Sequence, residues 1–81
     1  MKRRQPGSRV LVRADVVWNH LHRRHLAQHE FAELVDMKPG YLSQVLSGKR
    51  SPSARRRRRL KEELGIDDFD DLFYVERDDD G

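Results

Sequence analysis

Eighty-one residues, 36% of them apolar and 38% charged, hold material for one small core and no second domain. The formal charge is +3 and cysteine is absent, which excludes disulfide staples and thiolate metal sites. Without such cross-links a chain of this size buries only about 60% of its unfolded surface, so each of its elements has to pack against the others.

In chain order, Met1 to Ser8 (MKRRQPGS) sets Pro and Gly beside three basic residues without apolar periodicity, and reads as a flexible basic arm over residues 1–8. The folded domain is expected over residues 9–77, with residues 78–81 as an acidic tail. Arg9 to Arg13 (RVLVR) is short and β-rich, and the stretch from Phe73 to Glu76 or Arg77 shares its character. The two are expected to pair as a small antiparallel ribbon that leans on helices, because a lone two-stranded ribbon is weak in water.

Between them the period becomes helical. Ala14, Val17, Trp18, Leu21 and His25 recur at three- and four-residue steps, predicting a first helix with one apolar stripe and Asp15 in its first turn. A second helix opens at Ala27-Gln28, with Phe31, Ala32 and Val35 inward, and stops near Asp36. A third begins at Lys38-Pro39-Gly40, since proline is tolerated at a first helical position, and buries Leu42, Val45 and Leu46. Gly48 to Pro52 punctuates the chain. Ser53 is a candidate cap for a fourth helix with Arg57, Leu60 and Leu64 inward, and Gly65 ends it. A short fifth helix, Asp68 to Leu72 or Phe73, is expected to pack Phe69 and Leu72 back. The chain is thus mainly α, with five helices.

Charge is unevenly placed. Met1 to Lys61 carries 16 basic and 4 acidic residues, a balance of +12, whereas Glu62 to Gly81 carries 1 and 10, a balance of −9. Lys and Arg bound to phosphates release condensed counterions, so the basic part suits a polyanion. The run Arg55 to Arg59 reads either as part of that surface or as a solvated helix face. The acidic end faces away from a polyanion, or captures a basic protein partner. The longest apolar run, Val10-Leu11-Val12, is far short of the roughly 20 residues a bilayer span needs, and no signal segment is apparent. A soluble, cytoplasmic protein of bacterial or phage kind, without a membrane, is the expectation.

Two short helices joined by a tight turn, the second starting at proline, are the pattern of a helix-turn-helix, whose second helix shows a polar face to a groove. Gln28 to Ser47 fits. Ala32 is small where the helices cross, and Phe31, Val35, Met37, Leu42 and Val45 supply the apolar contacts. The stretch Leu26 to Ser53, LAQHEFAELVDMKPGYLSQVLSGKRSPS, resembles the Cro and lambda-repressor-like helix-turn-helix proteins. Tyr41-Leu-Ser-Gln44 followed by Ser47-Gly-Lys-Arg-Ser-Pro52 is its most specific part. The likeness extends more loosely from about Asp15 to Phe73, with Asp36 where the family usually has glycine.

The resemblance implies a sequence-specific double-stranded-DNA-binding transcriptional regulator, a repressor of phage or mobile-element type, acting as a homodimer on a palindromic operator. It places Gln28 against a phosphate and turns Lys38, Gly40, Tyr41 and Gln44 toward bases. Ser43, Ser47, Lys49 and Arg50 are expected at the phosphate backbone. The amide of Gln44 carries a donor and an acceptor, which matches adenine N6 and N7. The dimer surface is expected to draw on Phe69, Phe73 and Tyr74. The rival reading is an antitoxin-like interaction module whose acidic end holds a basic protein while the helical part regulates its own promoter. Nonspecific nucleoid or RNA binding through Arg55 to Arg59 is a third.

Other signals carry less. His25 and His29 stand four apart, but a helix break falls between them and no carboxylate completes a metal set. Asp67-Asp68 and Asp70-Asp71 suit a solvated helix start better than acid–base catalysis. No phosphate-cradling glycine loop or Ser/His/Asp arrangement is present. No enzyme activity, cofactor or metal is expected.

Overall fold

The structure, a computed structural model, describes residues 8–77. Its elements in order are β1 (Ser8–Val12), α1 (Ala14–Arg24), α2 (Gln28–Leu34), α3 (Pro39–Leu46), α4 (Ala54–Leu64), α5 (Phe69–Leu72) and β2 (Phe73–Arg77). The expected arm at 1–7 and acidic tail at 78–81 lie outside the described residues. Ser8, expected in the arm, instead opens β1.

The five helices and the ribbon are those the sequence predicts. β1 and β2 pair antiparallel, with Val12 opposite Phe73, Val10 opposite Val75 and Arg9 opposite Glu76. Val12 and Phe73 are buried in the helical core, which is how a two-stranded ribbon persists here. On its far side, the Ser51 hydroxyl donates to the Val10 carbonyl at 2.7 Å, tying the loop before α4 to β1. Arg13 leaves the ribbon to begin α1. Its backbone N–H donates to the Leu72 carbonyl at 2.7 Å and its Nε to the Asp70 carbonyl at 2.8 Å, so both ends of the chain converge on α1.

Helix ends follow local chemistry. Asp15 lies in the first turn of α1 and Arg23 and Arg24 in its last, each opposing the helix dipole. Ala27 has no side-chain acceptor for α2, but the Glu30 carboxylate turns back and accepts the Ala27 N–H at 2.7 Å. Ser53 accepts the Arg56 N–H at 3.3 Å, and Gly65 closes α4 in the left-handed conformation. Between α2 and α3, Asp36 has φ 58°, and the following Met37 N–H donates to the Ala32 carbonyl at 2.8 Å. Aspartate occupies this left-handed turn because its short side chain tolerates the region better than most.

Ala32, Phe31, Leu42 and Val45 fill the α2–α3 crossing, with Val17, Leu21, Leu60 and Leu72 closing the core around them. Five expectations of side-chain placement need correction. Trp18 is 36% exposed and lies beside the His22 ring, because the inward face of α1 centres on Val17 and Leu21 and rotates toward Val16 and His20. His25 is exposed and is the left-handed cap of α1, with φ 56°, rather than a stripe residue. Phe69 is 38% exposed. Phe73, expected at a dimer surface, is fully buried in its own core, its ring 5.4 Å from that of Phe69. Leu46 is only partly buried.

Candidate nucleic-acid interface

The tight α2–α3 turn and the Ala32 crossing fix α3 with one face in the core, so its remaining faces are determined. Leu42 and Val45 point in; Lys38, Gly40, Ser43, Gln44 and Ser47 are exposed. A Cβ built at Gly40 meets nothing within 4 Å. No contact within the protein therefore requires a glycine there, and the bare position lies open to an incoming group. Gln28, the first residue of α2, is half-buried. It sits where helix N-termini offer backbone donors and a positive dipole end to anions.

Past α3 the chain folds back on the helix end. The Gln44 carbonyl accepts the backbone N–H groups of Lys49 at 2.9 Å and Arg50 at 3.2 Å, and the Ser47 hydroxyl at 3.1 Å. Gly48, with φ 83°, makes this reversal possible. The loop cations are thus held against α3 instead of trailing from it. Arg50 is held further: its Nε donates to Gln44 Oε1 at 2.7 Å, and its guanidinium lies 5.8 Å from the centre of the Tyr41 ring. An open hollow of about 410 Å³ is lined by Gln44, Lys49, Arg50 and Ser51.

Tyr41 is half-buried, packed against the core and covered by a second guanidinium, that of Arg56, 4.7 Å from its centre. Its ring organises two arginines. Ser47 likewise spends its hydroxyl on the end of α3. These internal ties, and the Gln44–Arg50 bond above all, were not legible in the sequence. A six-residue separation across a glycine turn gives no periodic signal.

The arginine run has a different character. Arg56 Nη1 reaches the Asp36 carbonyl at 3.4 Å, Arg57 Nη1 donates to the Pro52 carbonyl at 3.1 Å, and Arg59 donates to the Leu34 carbonyl. Arg59 also stands 3.7 and 3.6 Å from Glu62 and Glu63. Arg57, expected inward, is half-buried with its head on that carbonyl instead of over the core. Arg55 and Arg58 are the exposed members of the run. Beside them a hollow of about 430 Å³ is lined by Val35, Asp36, Arg55, Arg56, Arg58 and Arg59 among others.

Comparison with known proteins decides the family: a helix-turn-helix family matches residues 23–68, more than half the chain. The chain belongs to the Cro and lambda-repressor-like helix-turn-helix family. No curated protein and no solved structure matches it. As a helix-turn-helix protein it is a DNA-binding transcription regulator, and its partner is double-stranded DNA. The matched segment of the helix-turn-helix protein contains both α2 and α3, the loop cations Lys49 and Arg50, and the arginines of α4. Among the described residues no helix is long and apolar enough to cross a membrane, and no group of three His, Asp or Glu side chains is placed to hold a metal ion.

Proposed function

We propose that the protein is a sequence-specific regulator that reads the major groove with α3 and represses by occupying its site, in the manner of phage or mobile-element repressors. The observation that carries this reading is the exposed face formed by Lys38, Gly40, Ser43 and Gln44, with Tyr41 half-buried beside it, on a helix whose other face is locked into the core. An exposed helix of this width fits the major groove, and base edges there are distinguishable by donor and acceptor pattern. Gln28, Ser43 and Lys49 supply phosphate contacts around that face, which set register and affinity without reading sequence, whereas the Ser47 hydroxyl is engaged by the Gln44 carbonyl and Arg50 is bonded to the Gln44 side chain.

Two copies engage a palindromic operator with half-sites about 34 Å apart, one helical turn. Phe69, Tyr74 and Val75, each exposed on α5 or β2, are offered as the apolar residues for the second copy. Selection of bound duplexes from a random pool tests the proposal. A recovered palindrome supports it, and recovery of unrelated sequences with no shared site overturns it.

A further inference from the structure

Gln44 on α3 and Arg50 in the loop after it are bonded to each other rather than standing alone. Arg50 Nε occupies Gln44 Oε1 at 2.7 Å, and arginine has only donors, so the amide orientation is unambiguous: its oxygen faces Arg50 and its NH₂ faces away. Arg50 is steadied in turn by the Tyr41 ring and by its backbone bond to the Gln44 carbonyl. Both side chains are exposed, and they line one open hollow with Lys49 and Ser51. The pair presents two amide hydrogens and the remaining guanidinium hydrogens. Its main acceptor is already engaged by a cation.

We infer that Gln44 and Arg50 act as one donor-only unit that selects guanine in the operator. This rests on the major-groove reading proposed above and deepens it. In that groove guanine offers two acceptors, N7 and O6, whereas adenine sets an amino donor beside N7 and cytosine offers an amino donor. A free glutamine satisfies adenine by accepting from N6 and donating to N7. Here the second lone pair of Oε1 lies beside the Arg50 charge, so an amino group brought to it meets guanidinium hydrogens. Thymine supplies one acceptor and leaves part of the unit unused. Arg50 is therefore a specificity-determining residue, where the sequence alone suggests a phosphate clamp.

The test is selection of bound duplexes from a random pool by the full chain and by Arg50→Ala, Arg50→Lys and Gln44→Ala. The native protein is expected to enrich guanine over adenine by about tenfold or more at one position of each half-site, the scale of a good bidentate contact. Arg50→Ala frees Oε1 and moves that position toward adenine. Arg50→Lys keeps a cation with donors only, and with it the salt dependence of binding and the bias against adenine. Gln44→Ala weakens the same preference and leaves the other positions unchanged. Adenine at that position with the native protein overturns the inference, as does an Arg50→Ala variant that binds all sequences more weakly with its preference intact. Either result leaves major-groove reading standing. Failure of the native protein to enrich any site overturns both.

Discussion

The outer face of α3 with its following loop and the arginine run of α4 carry the same kind of signal in the chain, polar and cationic side chains on a short helix, yet the fold employs them differently. On α3, Lys38, Ser43 and Gln44 stay exposed while their backbone is locked from beneath. On α4, Arg56, Arg57 and Arg59 turn back to carbonyls of Asp36, Pro52 and Leu34. The reason is geometric. Five consecutive residues in a helix point in five directions about 100° apart, so they cannot all face one ligand. Some of them necessarily meet the protein's own surface, and guanidinium groups satisfy the carbonyls left unpaired at the end of α2. A block of like charges is thus a weaker pointer to a binding surface than a spaced polar face on a helix whose back is buried.

The largest expected effect breaks the scaffold common to both regions. Leu60→Ala removes the side chain that α4 buries completely and costs about 2–5 kcal/mol of unfolding free energy, measured by urea denaturation. Gln44→Ala, by contrast, costs no more than about 1 kcal/mol of stability through the exposed bond to Arg50 and weakens binding to the selected operator by about 1–3 kcal/mol. Arg59→Ala should do the reverse, lowering stability by about 1 kcal/mol through the lost bond to Leu34 while the operator preference is retained. If its preference changes as much as that of Gln44→Ala, the two regions are not functionally distinct. Gly40→Ala sharpens the contrast from the other side. It adds about 0.5–1 kcal/mol of helix stability, since the new methyl meets no protein atom, and on the proposed major-groove reading it reduces DNA affinity.

The smallest effect concerns His20, packed near Phe31 behind both regions. Burial disfavours its charged form, the Arg24 charge acts in the same sense and Glu63 opposes them, so its pKa in the folded protein lies below the ordinary 6.5. The unfolded chain then takes up the proton first as pH falls. The His20 contribution is therefore intact above about pH 7.5 and is lost as pH drops through 6.5 toward the folded pKa. Denaturation midpoints should fall between pH 8 and pH 5, and the fall should be smaller in His20→Leu. An equal fall in both proteins would remove His20 as its source.

Much of this was legible from residues alone. Pro39 and Gly65 mark helix ends, Ser53 marks a cap, and the three- and four-residue spacing of Phe31, Val35, Leu42 and Val45 locates the buried sides of α2 and α3. Trp18 was misleading because a stripe one residue wide of the true face still keeps helical period. Its rotation depends on where Phe31 and Leu72 lie, which α1 cannot report. Phe73 was misleading for a related reason: at a helix–strand junction neither period applies, and it is the pairing with Val12 that turns its ring into the core. Hydrophobicity identified these residues as places where water is excluded without saying by what.

Local patterning by itself therefore determined the element order, the helix-turn-helix and the buried side of α3. Each of these follows from interactions between residues near in sequence, or from a period that repeats along one element. The tertiary structure decided which arginines are tied down, which aromatic rings remain exposed and which atom of Gln44 is already engaged. Those outcomes depend on bonds such as Arg59 to Leu34 and Arg50 to Gln44. Such partners come together only once a turn has reversed the chain and the core has set the angles between helices.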